Sequence, residues 1–172
     1  MSGLGNWNRP AVKRRLSELF AYALAGFEFG DGRPDADVPI VYTWDPAQSY
    51  GPTLFLGLNN GSAEETAMRR GAAVSQDGFS VHIGIALTGY RAGDVAEEAA
   101  MEAVRRIDGV LRKTERLHHA DVPAANPASY HGITKAVVNA VTGPYHAVDQ
   151  AGSGTIAGHV EFYIDCSTTI DP

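Results

Sequence analysis

The feature that most constrains this chain is a ten-residue stretch with strict two-residue periodicity. In residues 79–88, FSVHIGIALT, large apolar side chains alternate with small or mildly polar ones. This period predicts a β-strand with one buried face. The predicted core residues of this strand are Phe79, Val81, Ile83, Ile85 and Leu87. A sheet built around such a strand needs an apolar layer to cover that face.

Residues 95–115 are predicted to form a long amphipathic helix that provides this layer. Its apolar stripe consists of Ala96, Ala100, Ala103, Val104, Ile107, Val110 and Leu111. Its solvent side carries the i,i+4 pairs Glu102–Arg106 and Asp108–Arg112. Asp94 is the predicted N-cap, with Glu97 completing a capping box.

The remaining elements are predicted from the same two periods. Residues 10–26 read as a helix, with Pro10 in its first turn and an apolar side that runs from Val12 to Phe27. Further strands are predicted at residues 40–42, 53–56, 133–142 and 155–168. The last strand alternates between a core face and a polar face. The core face has Val160, Phe162, Ile164 and Cys166, and the polar face has His159, Glu161, Tyr163 and Asp165.

Together these elements predict one domain over residues 1–172, of the α+β class. We expect two layers, with a mainly antiparallel or mixed β-sheet and both helices, the N-terminal one and the long one, packed on one face. Connections rich in glycine and proline are predicted at residues 30–39, 58–78, 118–132 and 143–154. Structureless connections longer than about 12 residues are usually functional or disordered.

The charge balance excludes some partners. Twenty acidic residues against fourteen basic ones give a net charge of −6, which argues against wrapping nucleic acid. Five of the basic residues lie within residues 1–33, whereas Lys135 is the one basic residue after position 119. This polarity suits head-to-tail self-association, and it also fits two solvated faces of a monomer. No apolar run reaches the ~18 residues of a membrane span, and no secretory signal is predicted.

A search for catalytic and metal-binding patterns yields no strong candidate. The chain has no phosphate-binding loop, no HExxH and no GxSxG. His118 and His119 are adjacent, a spacing that disfavours a shared metal. Cys166 is the single cysteine and is predicted to be a core residue. As a nucleophile it would need His82 or His146 from elsewhere in the chain. We therefore expect no catalytic residues, no cofactor and no metal.

His82 and His159 lie on the polar faces of two predicted strands, together with Glu161 and Asp165. If those strands are neighbours, these side chains line one shared polar surface. A wet or subunit-covered sheet face is the expected role of such a surface.

The order of these segments resembles the tail terminator (tail completion) proteins of long-tailed, non-contractile bacteriophages, particularly those of actinobacterial hosts. The N-terminal amphipathic helix is followed by TLFLGLNNG, by Arg69-Arg70 and by FSVHIGIALTG. The helix DVAEEAAMEAVRRIDGVLRK comes next, and GITKAVVNAV and AGHVEFYIDCSTTI close the chain. The resemblance covers residues 10–170.

This resemblance implies a structural virion protein that acts at the junction of tail tube and neck. Such proteins form a homohexameric ring that caps the tail tube, ends its polymerisation and joins the tail to the neck or head-completion protein. DNA passes through the lumen without specific binding, and neither a cofactor nor a membrane is involved. Assembly takes place in the host cytoplasm.

Candidate contacts with a neighbouring subunit or partner ring are Lys13, Arg14, Arg15, Arg69 and Arg70, with ordinary solvated charge as the other interpretation. We also expect acidic residues of the C-terminal third to line the lumen. The alternatives are a neck or head-closure connector subunit, a small Cys- or His-dependent hydrolase, and a monomeric ligand-binding module.

Overall fold

The computed structural model describes residues 9–27, 40–41, 53–58, 62–69, 72–125, 133–148 and 154–170. Within these ranges the elements are α1 (Arg9–Ala23), β1 (Ile40–Val41), β2 (Thr53–Leu58), β3 (Ser62–Arg69), β4 (Ala72–Tyr90), α2 (Gly93–Leu111), β5 (Ile133–Val148) and β6 (Ile156–Ile170). The fold is α+β, as the sequence predicts. Neither described helix is both long enough and apolar enough to span a membrane.

The strands form one mixed sheet in the order β1-β2-β4-β6-β5. The β1–β2 pair is parallel and the other pairs are antiparallel. The long strand β4 pairs with β6 along one side. Along its other side it pairs first with β3, over Ala72–Gly78, and then with β2, over Val81–Ala86. Among the described strands, β5 therefore forms one edge of the sheet, and β1 and β3 form the other.

Both helices belong to a single apolar core on one face of the sheet. The alternating apolar residues of β4 and β6 are buried against the stripe of α2, and α1 packs on α2. The buried stripe of α2 is Ala96, Ala99, Ala100, Ala103, Val104, Ile107 and Leu111, which confirms the predicted helix face. The predicted i,i+4 pairs also form, with 3.4 Å between Arg106 and Glu102 and 2.7 Å between Arg112 and Asp108.

Two predicted connections are wrong, because the described chain forms strands there. Most of residues 58–78 belong to β3 and the first part of β4, and residues 143–148 continue β5. The sequence of β3, SAEETAMR, has no apolar alternation, so its pairing depends on backbone hydrogen bonds with β4. In β5, register shifts around residues 139–145 interrupt the two-residue period from which a strand is recognised.

The ends of α2 also differ from the prediction. The N-cap is Ala92, in extended conformation and with no side-chain cap, so the predicted capping box of Asp94 and Glu97 is wrong. Glu97 instead reaches His146 on β5, with 2.6 Å between Oε1 and Nδ1. At the other end the helix stops at Leu111 rather than continuing to 115. The Thr114 N–H and hydroxyl both donate to the Leu111 carbonyl, at 3.0 and 2.7 Å, and this tightens the chain into a turn.

The first turn of α2 lies very close to the sheet. Gly158 of β6 faces the backbone of α2 at Ala96, and a Cβ atom at position 158 would overlap the Ala96 carbonyl oxygen. Next to this contact, the His146 ring occupies the space beside Gly93. Two glycines therefore allow helix and sheet to approach at backbone distance.

Candidate functional site

The sheet face opposite the helices, called the open face here, carries polar and aromatic residues of β4, β5 and β6. The register places His82 opposite Tyr163, Ser80 opposite Asp165 and Ala86 opposite His159. Strands β4 and β6 are thus neighbours, and His82, His159, Glu161 and Asp165 share one face, as their alternation predicts for neighbouring strands. No described helix packs on this face.

Asp165 links three strands on the open face. Its Oδ1 accepts a hydrogen bond from the Ser80 hydroxyl of β4 at 2.7 Å, and its Oδ2 accepts one from the Asn139 amide of β5 at 2.6 Å. Both carboxylate oxygens thus have donors within the chain. Asp165 therefore fixes the relative positions of the strands, whereas Glu161 is exposed and can meet a partner.

Ring contacts organise the rest of this face. The His82 ring lies 5.1 Å from the Tyr163 ring, and its Nε2 is 3.9 Å from the Glu161 carboxylate. Tyr145 of β5 stacks on His159 of β6, with ring centroids 5.4 Å apart. Partial desolvation raises the pKa of Tyr145, and the negative charge of Glu161 raises it further. The result is a surface of packed rings with carboxylates between them.

We expect His159 to titrate below the ordinary histidine pKa of about 6.5. Its burial lowers the pKa, and this effect exceeds the opposing attraction of Glu161. At a pH between the lowered pKa of His159 in the folded protein and its ordinary pKa in the unfolded chain, the unfolded chain binds more protons than the folded one. The free energy of unfolding should therefore fall as the pH drops through about 6.5 toward the folded pKa. Nuclear magnetic resonance titration of the His159 ring measures this directly, with His159→Gln as the assignment control. A value at or above 6.5 would contradict it.

Strand β5 combines an open backbone edge with exposed apolar side chains. None of the described strands pairs with its outer edge. Four of the five large apolar side chains that are exposed in the described residues lie on it: Val137, Val141, Tyr145 and Val148. Val148 is the extreme case, with 66% of its surface exposed. We call the side of β5 that is unpaired in the described sheet, with these four exposed side chains, the β5 edge. A long apolar edge strand promotes association, so proteins usually cover or charge such strands.

The predicted basic contact residues of α1 have different surroundings. Arg15 is only 2% exposed, Lys13 is also buried, and Arg14 is exposed. Arg15 lies three residues after Val12 and four before Leu19, so it shares their inward side of the helix. Of these three candidate contact residues, Arg14 is the one whose side chain is exposed in the described structure. Contact with a partner stays a prediction for Lys13, Arg14 and Arg15.

Arg15 instead connects α1 to the segment after α2. Its Nε donates to the Leu117 carbonyl at 2.9 Å and its Nη2 to the Val122 carbonyl at 2.7 Å. Its Nη1 also donates a hydrogen bond to Glu18 Oε2 at 2.7 Å. The segment held in this way is strained, because Arg116 and Leu117 both have left-handed backbone angles, φ 53° and 58°. Arg15 thus has a structural role that the sequence pattern did not predict.

The second predicted basic pair lies at the hairpin of β3 and β4. Arg69 is the last residue of β3 and pairs with Ala72. Arg70 lies outside the described residues. The pairing of β4 with β6 begins at Ser75, so residues 72–74 of this hairpin lie beyond that pairing.

The environment of Cys166 does not favour nucleophilic catalysis. Its side chain points into the core, is 3% exposed and donates weakly to the Ile164 carbonyl. Burial raises the pKa of the thiol to about 12. At neutral pH the sulfur therefore stays protonated, whereas a catalytic cysteine requires the thiolate.

The adjacent histidines lie in different environments. His118 is exposed, and His119 is buried, where its Nδ1 accepts the Asp121 N–H at 3.2 Å and its ring contacts Tyr22. Within the described ranges, no group of three or more His, Cys, Asp or Glu side chains is arranged to hold a metal ion.

Compared with known proteins, the chain matches no family model and no curated sequence. Its candidate site thus rests on the geometry of the open face and the β5 edge.

Proposed function

We propose that this chain is a structural subunit of a bacteriophage tail, of the tail terminator type, that works as a ring on the end of the tail tube. The observation that carries the proposal is the β5 edge. A strand of sixteen residues with four exposed large apolar side chains favours a partner protein. An assembly subunit, which functions only when its surfaces are covered by neighbours, accounts for such an edge.

The open face supports the same proposal. Helices cover one face of the described sheet, and the other face bears packed rings and the carboxylates of Glu161 and Asp165. In a ring through which DNA passes, carboxylates on the inner wall repel the DNA phosphates, so the wall does not bind the DNA and stop its passage. We therefore assign the open face to the lumen in this proposal. The tail tube protein and the neck or head-completion protein are the partners on the two ring surfaces.

Two alternatives make different predictions. A neck or head-closure subunit would also form rings, but we expect such a protein to be a small β-barrel. The nineteen-residue helix α2, packed along the sheet, favours the terminator. A Cys-dependent hydrolase would require a reactive Cys166, and the raised pKa and burial of this thiol oppose that.

Electron microscopy of the purified protein, alone and mixed with tail tubes, tests the proposal. We expect rings, and caps at one end of each tube that prevent further addition of tube protein. Cys166→Ala should cap tubes like the natural protein, whereas a thiol enzyme would lose its activity. Monomers that ignore tube ends at every concentration would contradict the proposal.

A further inference from the structure

The two edges of the described sheet are complementary in a way that suggests how subunits meet. One edge is β5, with an exposed Lys135, several exposed apolar residues and no acidic residue. The other edge includes β3, whose sequence places Glu64 and Glu65 in its middle. We propose that β5 of one subunit pairs with β3 of the next copy, so that the sheet continues across the subunit boundary. This inference rests on the proposed ring.

The strand directions permit this pairing in a ring. β3 is antiparallel to β4, β4 to β6, and β6 to β5. The two edge strands therefore run in opposite directions within one subunit. Rotation about a ring axis keeps each strand's direction relative to that axis. When β5 of one subunit pairs with β3 of the rotated neighbour, the two strands are therefore antiparallel. Antiparallel pairing is the more stable arrangement of two strands.

The composition of the two strands favours a second copy over an unrelated partner. Strand β3 has eight residues and β5 has sixteen, so β5 is long enough to pair with all of β3. Lys135 on one edge and two glutamates on the other give opposite charges at the boundary. Two β5 strands pairing with each other would instead give a closed dimer rather than a ring.

Charge reversal on both edges tests the pairing. The β5 variant Lys135→Glu/Val137→Glu places like charges against β3, and we expect it to raise the dissociation constant of the oligomer by at least about tenfold in analytical ultracentrifugation. Adding Glu64→Lys/Glu65→Lys to the same chain should restore association. Tyr22→Glu is the matched control, since Tyr22 is 44% exposed but lies on α1, and it should associate normally. Thermal unfolding of each variant checks that it is folded.

Disulfide trapping identifies which strands meet. Val137→Cys and Glu65→Cys subunits should each stay unlinked when alone and should form a linked pair when mixed. The natural Cys166 does not interfere, because its thiol is buried. Linked dimers from Val137→Cys alone would overturn the proposal in favour of β5 pairing with β5. Unchanged association of the β5 variant would also overturn it.

The same variants separate this inference from the proposed function. If the β5 variant still forms rings that cap tail tubes, the pairing is wrong and the terminator function stands. If the natural protein forms neither rings nor caps, the proposed function is wrong as well.

Discussion

Replacing Gly158 with alanine is expected to destabilise the protein by about 3 kcal/mol, at the upper end of the usual cost of overpacking. The added Cβ would overlap the Ala96 carbonyl oxygen and lie 3.2 Å from the Ala96 Cα. Both groups are backbone, so no side-chain rotation can relieve the clash, and α2 must move away from β6. In a chain of this size that cost lowers the Tm by about 6–12 °C. Thermal and denaturant unfolding measure it.

Gly109→Ala is the matched control for this prediction. Gly109 lies in the same helix, and a Cβ there would meet no atom within 4 Å. Alanine in a helix interior loses less conformational entropy than glycine, so this variant should gain about 0.5–1 kcal/mol. Opposite signs for the two substitutions are the expected result. A natural Tm for Gly158→Ala would mean that α2 does not approach β6 at backbone distance.

The Arg15→Met variant is expected to lose at least about 2 kcal/mol, because a buried polar group left without its partner costs about 1–3 kcal/mol. Two carbonyls, those of Leu117 and Val122, would each lose a donor. The segment that they anchor also contains the left-handed residues Arg116 and Leu117, which are held in place by these contacts. Amide hydrogen exchange should therefore accelerate at His118, whose N–H donates to the Glu115 carbonyl at 2.8 Å.

Arg14→Met is the control for the loss of one positive charge from α1, since Arg14 precedes Arg15 in the same helix. Arg14 is exposed, and surface substitutions usually change the free energy of unfolding by no more than about 0.5 kcal/mol. A loss as large as that of Arg15→Met would show that charge in α1, rather than the buried hydrogen bonds, stabilises this region. Because Arg14→Met keeps the fold, it also tests the predicted partner contact of Arg14 through the efficiency of tube capping.

The layers of the fold were predictable because each depends on a local period. Val81, Ile83 and Ile85 alternate along the chain, and the same alternation places them in the core of the folded protein. In α2, the spacing of Ala96, Ala100 and Ile107 likewise matches the buried stripe. These patterns identify the inward face of an element without any knowledge of its neighbours.

The candidate site was only partly predictable, because its surfaces depend on pairings between distant segments. The shared face of His82 and Glu161 required β4 and β6 to be neighbours, a condition that the alternation alone leaves open. The exposure of Tyr145 and Val148 depends on β5 being an edge strand, which only the strand order decides. The sequence around Tyr145 and Val148 predicts a connection, because the register shifts of β5 interrupt the two-residue period of a strand.

Arg15 illustrates most clearly what is local and what is not. Its position three residues after Val12 places it on the inward side of α1, and that follows from the helical period alone. Its burial is tolerated only because the carbonyls of Leu117 and Val122, 102 and 107 residues away, accept its hydrogen bonds. By itself, the sequence determined the α+β class, the core faces of β4 and β6 and the stripe of α2, since hydrophobic periodicity is a property of a single element. The tertiary structure decided which charges are buried and which strand lies at the edge, since both depend on the groups that distant segments bring together.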